Sequence, residues 1–193
     1  MNAPVAYTTR LTPHGLRITA YGTRRKRRRL RRLARPHRRH MRIVDEIVTT
    51  APPELVYQVA ADVERWPEIL PHYRWVRMLE RSASGGIVDM SAWRPFPGFR
   101  WPTWWTSEMR LDPERREVHY RHIRGVTRGM NVVWQMKPVD KGTHINLVHE
   151  WSGPGWPIIG RTAASLIILP VFVHGIAALT LAGVSREAER LNA

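Results

Sequence analysis

Between Arg74 and Trp151 the chain alternates six times between a short run suited to an extended strand and a tight turn. The runs are Arg74–Arg81, Ile87–Arg94, Trp104–Leu111, Val118–Arg124, Met130–Pro138 and His144–Trp151. The segments between them, SASGG, RPFPGFRWP, DPERR, GVTRG and VDKG, each contain Gly, Pro or both in a turn-favouring setting. Strands joined this closely pair with their sequence neighbours, which predicts an antiparallel meander. Period two fixes the faces: Met130, Val132, Trp134 and Met136 share one side of their strand, and Ile145, Leu147, His149 and Trp151 share one side of theirs. Asn131 and Gln135 take the opposite, more polar side.

The flanks complete an α+β pattern. RIVDEIVTT at Arg42–Thr50 is β-branched and reads as a strand. APPELVYQVAADVERWPE reads as a helix, with Pro52 and Pro53 in its first turn and Leu55, Val56, Val59, Val63 and Trp66 as its apolar stripe. Pro67 is expected to break that helix, and Glu68–Tyr73 to form a short second one ending near Pro71. SGPGWPIIG is read as the turn into a long apolar helix over Arg161–Leu191. Residues 162–184 carry no Asp, Glu, Lys or Arg, a length that suits a membrane span. Pro170, His174, Gly175 and Gly183 interrupt the run. The favoured reading is a helix held in the mouth of a curved sheet, with a surface-docking helix as the alternative.

Charge divides the chain. Of its 31 Lys and Arg, 14 lie in residues 1–42, which hold no Asp or Glu; the other 17 face all 16 acidic residues. Of the net +15, +14 therefore belongs to the N-terminal stretch, where RRKRRRLRRLARPHRRH at residues 24–40 has eleven basic residues in seventeen. Residues 1–41 read as a disordered basic extension before a domain at 42–193. Three readings stay open for the extension. It is a basic arm for nucleic acid or an anionic surface, an Arg-rich targeting segment, or sequence upstream of a true start at Met41. There is no cysteine, so thiolate catalysis, disulfides and Cys-based zinc sites are excluded. No apolar run follows the basic block as a secretory signal requires, and the expected location is cytoplasmic, with peripheral membrane contact through the Trp-rich loop and the last helix.

Three stretches carry a resemblance. TTAPPELVYQVAADVERWPEILPHY pairs a strand ending in Ala51–Pro52 with a helix bearing Tyr57 and an Asp-x-x-x-Trp-Pro motif at Asp62, Trp66 and Pro67. WWTSEMRLDPERREVHYRHIRG, followed by MNVVWQM, gives a Trp-x-Ser, an Asp-Pro turn and a Met-Asn-x-x-Trp strand. GVSREAERL closes the chain. Across residues 42–192 these resemble the START-like superfamily, and within it the polyketide cyclase/dehydrase family, with its aromatase/cyclases and coenzyme Q-binding members. The resemblance implies the helix-grip fold, a curved antiparallel sheet of about seven strands around a long C-terminal helix. It also implies a cavity between sheet and helix for a bulky hydrophobic molecule such as a polyketide, quinone or lipid.

The resemblance points to Tyr73 as a pocket phenol that donates a hydrogen bond or shuttles a proton, and to an arginine stabilising enolate charge, either Arg100 or Arg94. His72 precedes the tyrosine where some aromatase/cyclases carry an acid, and a solvated helix end is the favoured reading for it. The expected cavity walls are Trp66, Trp75, Trp93, Trp105, Met130, Val132, Trp134, Phe172 and Ile176. The aromatics Trp93, Phe96, Phe99, Trp101, Trp104 and Trp105 read as a loop that contacts ligand or a membrane interface. His119 and His122, three apart on a strand, point to opposite faces and cannot readily share an ion, so no metal site is expected, and no cofactor is. The favoured function is a module that binds a hydrophobic molecule in this cavity; the alternative is an aromatase/cyclase that performs aldol cyclisation and dehydration there.

Overall fold

The computed structural model describes residues 6–12, 15–21, 41–96, 98–153 and 173–193, with residues up to 40 described by backbone alone. Strand β1 is Ala6–Thr12 and β2 is Gly15–Tyr21. Strand β3, Met41–Thr49, leads into helix α1, Pro53–Ala61, a 3-10 turn at Val63–Arg65 and helix α2, Trp66–Ile69. The meander follows as β4 Tyr73–Ser82, β5 Gly85–Phe96, β6 Phe99–Asp112, β7 Glu117–Gly125, β8 Asn131–Val139 and β9 Gly142–Trp151. Helix α3, His174–Asn192, closes the chain. The sheet order is β2-β1-β3-β9-β8-β7-β6-β5-β4.

Strands β3 to β9 are the seven-stranded antiparallel sheet the helix-grip pattern implies, and α3 lies in its concavity. Bulges bend the sheet where β4 meets β5, at Tyr73/Trp75 and Met78/Glu80, and where β6 meets β7, at Thr106/Ser107. The concave face carries the core. Met130, Val132, Trp134 and Met136 from the start of β8, and Ile145, Leu147 and Trp151 from β9, are buried there, as period two predicted. Helix α3 meets them with Ala177, Thr180, Leu181, Val184 and Ala188. Gly183 lets the helix close on α2: a Cβ there would lie 2.1 Å from Leu70 Cδ2. At the far end Glu189 accepts hydrogen bonds from Thr49 Oγ1 at 2.8 Å and Thr50 N at 3.1 Å, tying the helix to the β3–α1 turn.

Three expectations need correction. The N-terminal extension is not without regular structure throughout: AYTTRLT and GLRITAY are β-branched runs around a two-residue connection, and they pair as a hairpin that adds to β3 in parallel. The arginine-rich residues 22–40 lie outside the described residues. Pro67 does not end a helix; it sits in the first turn of α2, where a missing N–H costs nothing, and α1 has already ended at Ala61. The aromatic segment is not a loop, because β5 and β6 pair continuously from Gly85↔Arg110 to Phe96↔Phe99. The last helix is described from His174, and the expected stretch from Arg161 to Phe172 lies outside the described residues. Among the described residues, no helix is long and apolar enough to cross a membrane.

Candidate active-site cleft

The curvature of the sheet leaves a cleft between the concave face and α3. Its walls are mostly apolar: Trp66, Met90, Trp105, Met130, Val132, Trp134, Leu147, Val173 and Ile176. Trp66 is fixed by a hydrogen bond from its Nε1–H to the Val59 carbonyl at 3.1 Å, and packs edge-on to Tyr73 with ring centroids 5.1 Å apart. Trp105 stacks on His122 at 6.0 Å.

Polar groups interrupt these walls at chosen points. Tyr73, the first residue of β4, is buried and lines the cleft. Burial pushes its phenol up, against the pull of a hydrogen bond with Thr180. Tyr120 on β7 is also fully buried; burial and the neighbouring Tyr73 hold its phenol well above its ordinary range. Both side chains are therefore neutral O–H donors at physiological pH, and the Tyr120 Oη has no hydrogen-bond partner among the described residues. Thr180 donates to the Ile176 carbonyl at 2.8 Å and lies 2.9 Å from His72 Nε2. With the hydroxyl proton committed to Ile176, His72 is the donor in that pair. It is not a solvated helix end: burial lowers its pKa to about 4.

The second polar group gathers around Asp45 on β3, which is 3% exposed. Its Oδ1 lies 2.5 Å from His174 Nδ1, and its Oδ2 lies 3.8 Å from His149 Nδ1. That hydrogen bond raises the His174 pKa against the opposing effect of burial. His149, buried on β9, lines the cleft and is driven the other way, to about 4, by burial; the Asp45 charge opposes this and His174 adds to it. His122 is lowered to about 3 by burial and by His149, and its Nδ1 holds Thr127 Oγ1 at 2.6 Å. Asp45 Oδ2 and His149 Nδ1 face each other, and neither has a hydrogen-bond partner among the described residues. His149 is thus a neutral imidazole facing a carboxylate inside the cleft, able to accept a hydrogen bond or a proton, with burial weakening it as a base and Asp45 opposing that effect.

The predicted residues sort by strand parity. Tyr73, Trp66, Trp105, Met130, Val132, Trp134 and Ile176 all line the cleft. Arg94 pairs with Trp101 on the concave side, at the end of α3 where His174 begins it. Its guanidinium fills the space beside Gly175, where a Cβ would come within 2.0 Å of Nη1, and its charge acts on His174. Trp75, Trp93 and Arg100 are not brought to the cleft. Trp75 pairs with Ser91 past the first bulge and Arg100 pairs with Pro95, which puts them, with Trp93, on the convex face. Trp93 lies there between Arg74 and Arg100, 4.6 and 5.3 Å from its ring centroid. Phe172 lies outside the described residues. The residues the sequence reading did not select are Asp45, Tyr120, His122, His149, His174 and Thr180. For two of them a signal existed: Asp45 sits in phase with Ile43 and Ile47, and His149 in phase with Ile145, Leu147 and Trp151. A polar residue on an apolar row is the informative exception.

Residues 49–167 match the family model described as polyketide cyclase / dehydrase and lipid transport. The granaticin polyketide synthase bifunctional cyclase/dehydratase of Streptomyces violaceoruber is 34% identical over 109 residues, 55% of this chain and 32% of its own length. The actinorhodin counterpart of Streptomyces coelicolor is 30% identical over 113 residues, 58% of this chain and 34% of its own. The chain thus spans about a third of the length of these two curated relatives. Among solved structures, the Zhui aromatase/cyclase of a Streptomyces species superposes with a TM-score of 0.66 at 25% identity, covering 78% of this chain and 94% of that one.

Proposed function

The chain belongs to the polyketide cyclase / dehydrase and lipid transport family, and from that premise we propose that its cleft folds a hydrophobic chain bearing several carbonyl groups and catalyses aldol cyclisation and dehydration on it. The observation that carries this reading is a pair of buried polar atoms without hydrogen-bond partners among the described residues, Tyr120 Oη and His149 Nδ1, in the walls of a mostly apolar cleft, with the likewise unbonded Asp45 Oδ2 beside His149. Each such atom costs about 1–3 kcal/mol unless something satisfies it. A site that only stored an apolar molecule would gain by replacing them with carbon.

The steps follow from the groups present. His149, neutral at working pH, removes a proton from a methylene flanked by two carbonyls. Asp45 stabilises the imidazolium that forms. The enolate carbon attacks a second carbonyl, forming the new C–C bond, and the alkoxide takes a proton from Tyr120 or Tyr73. The tyrosinate then takes the second proton from the ring carbon, and the His149 proton passes to the hydroxyl, which leaves as water, so that both protein groups return to their starting state. Arg94, at the mouth, supplies positive charge to the enolate.

Binding without turnover is the second reading, and the apolar walls favour it. A quinone or lipid would occupy the same space. Incubation with a synthetic poly-β-keto thioester, read by mass spectrometry, separates the two. The cyclase reading expects a product lighter by water. Saturable binding with unchanged substrate assigns the chain to carriage.

A further inference from the structure

The hairpin of β5 and β6 extends past the cleft and carries large side chains that stay about half exposed. Phe99, Trp101 and Trp104 are 56%, 55% and 51% exposed. By parity Phe99 and Trp101 continue the concave row whose next members, Thr103 and Trp105, line the cleft, while Trp104 lies on the convex side with Arg100. The tip is therefore apolar on both faces. One flat protein partner can bury one face of a hairpin, whereas a lipid interface surrounds it.

Charge at this end matches. On the convex side Arg74 and Arg100 flank the Trp93 ring and Arg77 lies 5.1 Å from that of Trp75. None of the three has a carboxylate partner among the described residues. Guanidinium groups stacked this way keep their N–H edges free for phosphate oxygens. The register also places both attachment points of the arginine-rich stretch here. Tyr21 pairs with Ala6, Ala6 pairs with Arg42, and Met41 pairs with Trp151, all at the end of the sheet where β5 turns into β6.

We propose that this end of the molecule docks on an anionic lipid bilayer, with the β5–β6 tip among the headgroups. The row Phe99–Trp101–Thr103–Trp105 then forms a mainly aromatic path by which a hydrophobic molecule passes between bilayer and cleft. The inference stands whether the cleft catalyses or carries.

The chain has no cysteine, so one dye can be placed at will on the full-length protein. An environment-sensitive nitrobenzoxadiazole is attached at Phe99→Cys, and as a control at Asp140→Cys, at the opposite end of the sheet. Vesicles of phosphatidylcholine with about a third phosphatidylglycerol are added. The proposal expects a blue shift and brightening at position 99 and none at 140. It also expects Trp101→Ser with Trp104→Ser to weaken vesicle co-sedimentation roughly tenfold with the far-UV spectrum and melting temperature unchanged. Binding that leaves the 99 dye unchanged, or that survives the double substitution, assigns attraction to the basic stretch alone and overturns it. So does retention on RNA or an acidic protein with no binding to vesicles.

Discussion

Asp45 Oδ1 on β3 and His174 Nδ1 in the first turn of α3 lie 2.5 Å apart, 129 positions apart in sequence. The contact pins the start of the last helix to the sheet beside the cleft, with Asp45 almost fully buried. Removing His174 leaves a buried carboxylate without its partner. His174→Ala is expected to destabilise the fold by about 3 kcal/mol, read as a lower urea midpoint with unchanged slope. An unchanged midpoint would show that the pair contributes nothing.

Stability should depend on pH with a maximum near pH 6.5. His72, His122 and His149 are held neutral by burial at about 4, 3 and 4. The unfolded chain takes up their protons first, so stability is complete above the ordinary histidine range and is lost as pH falls from about 6.5 toward 4. His174 is raised, so its contribution is complete below about 6.5 and is lost as pH rises through its folded value. Melting temperatures across this range should show both limbs, and His174→Gln should remove the alkaline one alone.

Tyr120→Phe deletes a buried hydroxyl that has no partner. The folded state should be as stable as the parent or more so. If the phenol serves the alkoxide, turnover should drop roughly a hundredfold while binding of a product analogue persists. Lost stability would mean that the hydroxyl is structural.

The two arginines should separate. Arg94→Ala empties the space beside Gly175 and removes the charge at the mouth, lowering turnover. Arg100→Ala acts on the convex face and should leave turnover in solution unchanged.

Gly183→Ala should cost about 1–3 kcal/mol, because its methyl would meet Leu70 Cδ2. Leu70→Ala in the same chain makes room and should make the glycine substitution harmless. Non-additive thermal denaturation data would confirm that α2 and α3 are fitted at this point.

How much of this was legible depended on period and on register. The meander, and the buried faces of β8 and β9, follow from alternation within each strand. Trp66, Trp134 and Tyr73 could be placed by their local motifs. Arg94 and Arg100 could not be told apart, because their faces depend on how many residues form the turn between β5 and β6. A shift of one residue exchanges concave for convex. The observed pairing of Phe96 with Phe99 settles it, and also sends Trp93 outward. Asp45, His149 and His174 come from three distant segments. Only the pairing of Ile43 with His149, and the docking of α3, bring them together.

The central claim is that His149 is the base of the cleft. The most direct test measures turnover of a poly-β-keto thioester by the parent and by His149→Phe, an apolar replacement for a buried ring, alongside binding of a non-reactive aromatic analogue. The account predicts unchanged binding and loss of the cyclised, dehydrated product by at least about a hundredfold. Full turnover in His149→Phe would contradict it.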